Sequence, residues 1–167
     1  PEQENERLYP THFCRNCGQE FHPVTLRKSG SQDIFEKREI DDIPVEDDDS
    51  YDDADWGFLM PEPDDTGFTF TGADEDYPDA WLEERSSGER RLKANYRKKR
   101  AQRFAVAPDG SAHVGTRQAW FMPGKYRHCP ACGDVNSSSA RDMNKLASLS
   151  AESRSSATTI LLSTILR

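Results

Sequence analysis

The residues with the clearest chemistry are four cysteines set as two short pairs, Cys14-Arg15-Asn16-Cys17-Gly18 and Cys129-Pro130-Ala131-Cys132-Gly133. Two thiolates three positions apart on a tight turn face the same side of the backbone. Two such knuckles set against each other build the tetrahedral sulfur cage that Zn²⁺ accepts at about 2.3 Å per bond. The glycine after each pair suits the positive φ that turns backbone amides toward the thiolates. Cys14, Cys17, Cys129 and Cys132 are therefore expected to hold one structural zinc, with all four positions filled and none open for catalysis. More than a hundred residues separate the pairs, so the intervening chain must be an excursion that returns close to its start.

Other chemistries use the same residues. Ligand identity alone does not separate zinc from iron in a rubredoxin-like or iron–sulfur site. Two disulfides would suit a secreted protein, but cysteines grouped as twin Cys-x-x-Cys pairs favour metal. A redox Cys-x-x-Cys ordinarily occurs once, beside a βαβ pattern, and neither condition is met. His12, His22, His113 and His128 complete the inventory of metal-ligating types. The cysteine set is full without them, and they read as ordinary strand or surface histidines. His12 and His128 flank the knuckles, in position to donate a hydrogen bond toward the sulfurs.

The elements that must position the cysteines are short. Aromatic and β-branched residues on both sides of Cys14 and Cys17 predict strand, knuckle, strand, with Val24, Thr25 and Leu26 in the second strand. Trp56-Gly57-Phe58-Leu59-Met60 reads as a short buried strand, and Phe68-Thr69-Phe70 and Ala80-Trp81-Leu82 as apolar islands that dock locally. Phe104 to Ala107 is a strand ending in a turn at Pro108-Asp109-Gly110, with a return strand from His113 to Met122. Ser150 is placed to cap a helix carrying Ala157, Ile160, Leu161, Thr164 and Ile165 at helical spacing.

Charge is segregated along the chain. The formal net charge is −8, yet residues 33 to 84 hold 21 acidic side chains against Lys37 and Arg38, so the remainder is basic. Leu, Ile, Val and Phe make up about 17% of the residues, thin for a self-sufficient core of 167 residues. A metal staple answers that shortage. The fold class expected is α+β: a small zinc-ribbon-like β module with a long acidic insertion, a basic helix over 85 to 103, and a C-terminal helix. The segments are 1–32, first knuckle and strand; 33–84, acidic and largely irregular; 85–135, basic helix, hairpin and second knuckle; and 136–167, a link and helix leading into a following domain. Pro1 and Arg167 read as the ends of an excised piece. No apolar run reaches the length of a membrane span and no signal peptide opens the chain, so a cytoplasmic location is expected.

The basic remainder makes nucleic acid the first partner to consider. Arg97, Lys98, Lys99, Arg100 and Arg103, with Arg15, Lys125 and Arg127 near the knuckles, are the candidate contacts. Lys and Arg without interleaved aromatics position a phosphate backbone and do not read bases. The competing reading is a solvated face, or one neutralised in cis by the acidic segment. In a variant of that reading, the segment acts as an internal DNA mimic or recruits a basic partner.

Phe13 to Val24, which contains the first knuckle, and Lys145 to Thr159 resemble the region between the two motor lobes of large bacterial superfamily 2 helicases of the DEAD/DEAH-box type, often part of phage-defence systems. The resemblance takes in the second knuckle, and more loosely Trp56 to Glu62, Ala80 to Leu82 and Trp120 to Pro123. It implies a zinc-bearing accessory module flanked by helicase lobes, acting on DNA through an ATP-binding parent in antiviral defence. The motor itself is not in this chain. Gly124-Lys125 is followed by Tyr126 and lacks the upstream glycine of a nucleotide-binding loop, and no Asp-Glu-Ala-Asp or Asp-Glu-x-His run occurs. No catalytic residue is assigned, and an independent enzyme is the weakest reading.

Overall fold

The protein is seen here as a computed structural model, in which residues 8–30, 32–43, 55–64, 67–136 and 140–148 are described. Its centre is antiparallel: β4 (Trp56–Pro61) runs between β2 (Glu20–Ser29) and β8 (Arg117–Pro123). Beyond β8 lies β7 (Gln102–Val106), and beyond β2 lie β1 (His12–Cys14) and β9 (Leu146–Ser148). A further strand, β3 (Gln32–Lys37), also pairs with β2 to complete a seven-stranded sheet. A separate hairpin joins β5 (Leu82–Glu84) to β6 (Arg90–Leu92). Helix is limited, among the described residues, to single turns at α1 (Ala94–Arg97) and α2 (Asp142–Lys145) and two 3₁₀ turns at Asp74–Asp76 and Asp79–Trp81. The module is thus β-rich with little helix.

Side chains of a strand alternate between faces, and here both faces are covered. Phe21, Phe58, Met60, Trp120 and Met122 enter one core together with Cys14, Cys129 and Tyr126. Val24, Leu26, Leu59, Ala119 and Phe121 enter a second with Tyr9, Phe35, Phe104 and Val106. A strand buried on both sides has no need of polar alternation, which is why Trp56 to Met60 reads as an unbroken apolar run.

The thin aliphatic content is offset by rings. Phe70, Tyr77, Trp81 and Leu92 from the charged excursion roof the first core. Phe70 meets Trp120 edge-on at 5.0 Å, and Trp81 stacks on Tyr96 at 4.6 Å. Arg38, buried directly after β3, donates to the carbonyls of Val24, Glu39, Ile40, Asp42 and Gly57 while its guanidinium lies over Trp56 and Phe58.

Two expectations are corrected. The continuous basic helix over 85–103 is replaced by the end of a hairpin, one turn of helix and the start of β7. The apolar positions there follow strand and turn requirements: Leu92 is wholly buried from β6 and Phe104 from β7. Within the acidic stretch 33–84, β4 falls on the apolar run Trp56 to Met60 as expected, and β3 adds a strand to its start. The return strand begins at Arg117, not His113, because the chain turns sharply at His113 (φ 70) after bridging at Ser111 and Ala112. The helix expected from Ser150, and the acidic run Glu46 to Asp49, lie outside the described residues.

Candidate functional site

The two knuckles are built alike. In the first, the Gly18 amide donates to the Cys14 carbonyl at 2.9 Å and the Cys14 amide to Gln19 at 2.9 Å; in the second, Gly133 donates to Cys129 at 2.7 Å and Cys129 to Asp134 at 2.9 Å. Gly18 and Gly133 share the same left-handed φ of 82°, as their position after each pair requires. Strands bring the knuckles together: β1 delivers Cys14, and β8 with the Gly124 turn delivers Cys129.

All four sulfurs lie within 4.8 Å of one another. Cys14 Sγ is 3.7 Å from Cys132 Sγ, and Cys17 Sγ is 3.7 Å from Cys129 Sγ. A disulfide holds its sulfurs at about 2.05 Å, so these are separate thiols. Four sulfurs about 2.3 Å from one central ion are separated by tetrahedral edges of about 3.8 Å. The observed spacing is that of a cage around a single metal ion. The inner pair, Cys14 and Cys129, is buried, and the outer pair, Cys17 and Cys132, reaches the surface.

Burial opposes the ionisation of Cys17 and Cys129, raising Cys17 to about 11 and pushing Cys129 up further, while Cys132, despite opposing burial, is held below its ordinary value by hydrogen bonds led by Asn16. Crowded sulfurs cannot all carry charge unless a cation stands among them, which is the service a divalent ion supplies. Tyr126 packs against the cage between Phe21 and Phe58, and burial followed by the nearby Cys129 and Cys14 sulfurs drives its phenol far above its usual range.

Behind the second knuckle lies a feature the sequence reading passed over. Lys145 Nζ donates to the Tyr126 carbonyl at 2.7 Å and to Asp142 Oδ1 at 3.1 Å, and the Tyr126 amide donates to that same carboxylate oxygen. The adjoining strand β9 pairs Leu146 with Cys14. The segment Asp142 to Ser148 therefore grips both knuckles. An i, i+3 Asp–Lys pair was the one signal available in the sequence.

The histidines do not extend the ligand set. Neither ring nitrogen of His128 has a hydrogen-bond partner among the described residues, and the ring packs among Phe70, Tyr77 and Trp81, its pKa lowered to about 4 by burial, so the expected donation toward a sulfur is not made. His22 Nδ1 lies 3.1 Å from the Pro10 carbonyl, away from the cage.

The basic residues named from the sequence do not form one surface. Arg97 pairs with Glu83 at 3.5 Å, Arg100 with Asp74, and Arg103 with Glu62 at 2.7 Å. Arg15 donates to the Leu146 carbonyl at 3.3 Å and so fastens β9 to the first knuckle. Lys99, Lys125 and Arg127 gather at a small recess with Tyr77, Trp81 and His128, and Lys98 lines a different hollow with Gln102 and Phe104. Successive side chains of Lys98-Lys99-Arg100 thus serve different surroundings.

The geometry defines a β-rich module with a four-cysteine cluster that could hold a metal ion. Compared with protein-family models, with characterised proteins and with solved structures, the chain matches none. No helix among the described residues is long and apolar enough to cross a membrane.

Proposed function

We propose that this chain is a structural zinc-binding module which braces and positions nucleic acid beside the lobes of an ATP-dependent helicase or translocase, in a cytoplasmic bacterial defence system. The observation that carries the single-ion assignment is the 3.7 Å sulfur spacing, which fits one tetrahedral ion; a multi-iron cluster gives each iron its own thiolates and spreads them further. The ion neutralises thiolates and joins two knuckles 112 to 118 positions apart in sequence, with no site left for a reacting water. Support for the parent class is the resemblance at Phe13 to Val24 and Lys145 to Thr159.

Elemental analysis tests the metal: one zinc per chain, with loss of the folded signal on chelation, is the expected result. A metal-free protein that keeps its fold, or one that loads iron, overturns it. The parent class is tested in the polypeptide that carries this segment, where DNA-stimulated ATP hydrolysis is expected and should fall in a Cys132→Ser variant. A parent that hydrolyses no ATP overturns it.

A specific observation favours a second reading, in which acidic residues regulate the basic ones. Glu62, Asp64, Asp74, Asp79 and Glu83 pair with Arg103, Arg117, Arg100, Arg90 and Arg97 respectively. If these carboxylates stand where phosphates would bind, Asp79→Asn with Glu83→Gln raises DNA affinity. Unchanged affinity reduces the pairs to surface neutralisation, each contributing under about 1 kcal/mol.

A further inference from the structure

A cavity of about 510 Å³ is lined from the β5–β6 hairpin, α1 and the turn at Asp74–Asp76. Five guanidinium groups converge on it: Arg85, Arg90, Arg91, Arg97 and Arg100. The carboxylates in its lining are Asp74, Glu75 and Glu89, and Asp79 and Glu83 stand just outside it. Carboxylates hold four of these arginines, Asp79 on Arg90, Glu89 on Arg91, Glu83 on Arg97 and Asp74 on Arg100, and each pair fixes its guanidinium's orientation. Burial opposes the ionisation of Asp74, but Arg100 and the Leu92 amide outweigh that and hold its carboxyl below the usual carboxylate range.

The chemistry selects a phosphate ligand. Each guanidinium carries five N–H donors, and one bound carboxylate leaves donors for a second anion. A cavity of this size has room for more than an isolated ion. No aromatic side chain lines it among the described residues, and the neighbouring rings of Tyr77, Trp81 and Tyr96 are stacked on one another. Bases therefore have no ring to stack on, and recognition falls to the backbone.

We propose that this arginine cavity seats phosphates of a nucleic-acid backbone, a site that deepens the nucleic-acid reading above and rests on it. The cavity replaces the expected basic helix as the binding element and adds Arg85, Arg90 and Arg91 to it.

The test is fluorescence anisotropy of the zinc-loaded full chain with a labelled single-stranded oligonucleotide across a salt series. The cavity variant is R85Q/R90Q/R91Q, three exposed positions on the hairpin. The control is R27Q/K28Q/K37Q, which removes the same charge from exposed positions on β2 and β3. The expected result is a loss of about ten-fold or more in affinity for the cavity variant, and a log–log salt slope smaller by about 2, with the control close to wild type. Equal losses in both variants, or none in either, overturn the cavity while leaving nucleic-acid binding in place. A wild-type chain that binds no oligonucleotide at low salt overturns the nucleic-acid reading itself. Zinc content and near-UV circular dichroism verify that each variant is folded, and Arg85→Gln alone, in the hairpin turn, repeats the comparison should the triple variant not fold.

Discussion

Lys145 holds Asp142 at 3.1 Å with both side chains almost entirely withdrawn from water, and the same ammonium reaches the Tyr126 carbonyl three residues before Cys129. Removing one member of such a pair strands the other charge. Lys145→Met is expected to destabilise the zinc-loaded chain by about 3–5 kcal/mol, and the paired change Lys145→Met with Asp142→Leu by clearly less. Urea denaturation of the two variants checks this; equal losses would show that packing, and not the stranded carboxylate, sets the cost.

The knuckle glycines make a backbone prediction free of steric complication. A Cβ built on Gly18 or Gly133 meets nothing within 4 Å, so the only penalty for alanine is the left-handed φ of 82°. Gly133→Ala should cost about 1–2 kcal/mol and weaken zinc retention in a chelator competition, and Gly133→Asn should cost less. An alanine variant as stable as wild type would place the strain elsewhere.

His22 is fully buried, and burial, with a smaller contribution from the charge of His12, lowers its pKa to about 4 against an ordinary 6.5. The unfolded chain therefore binds a proton that the folded chain refuses between those values. Stability is complete above pH 6.5 and falls as pH drops toward 4, by on the order of 3 kcal/mol from this group. His22→Asn keeps a donor for the Pro10 carbonyl and cannot titrate. Acid loss of metal and the burial of His128 are common to both proteins, so the difference between their pH–stability curves isolates His22. Parallel curves would contradict the assignment.

Arg38 serves five carbonyls from inside the fold, and although burial lowers its pKa to about 10 it remains charged at neutral pH. Arg38→Met should cost about 3 kcal/mol or more, because the Val24 and Gly57 carbonyls lose their side-chain partner within the sheet. Arg38→Lys retains the charge but not the fork and is expected to rescue little. Thermal unfolding of both variants reads the result, and a full rescue by lysine would make charge the operative quantity.

The cysteine spacing, the glycines that follow, the apolar run at Trp56 to Met60 and the turn at Pro108 to Gly110 were sufficient on their own to place two knuckles, a buried strand and a hairpin. Each is a local requirement: a φ, a chelate bite, a two-sided burial. The basic stretch misled because charged residues tolerate helix and strand alike, and only the burial of Leu92 and Phe104 shows which is formed. Nothing in the local sequence marks Arg38, Asp142 or Lys145 for burial. Tertiary structure alone decided that these three are buried, that five arginines from a hairpin and a single helical turn share one cavity, and that acidic residues meet basic ones across the excursion. The physical reason is that such pairings join residues far apart in sequence. They exist only once the sheet has closed and brought the two knuckles to within a sulfur–sulfur contact.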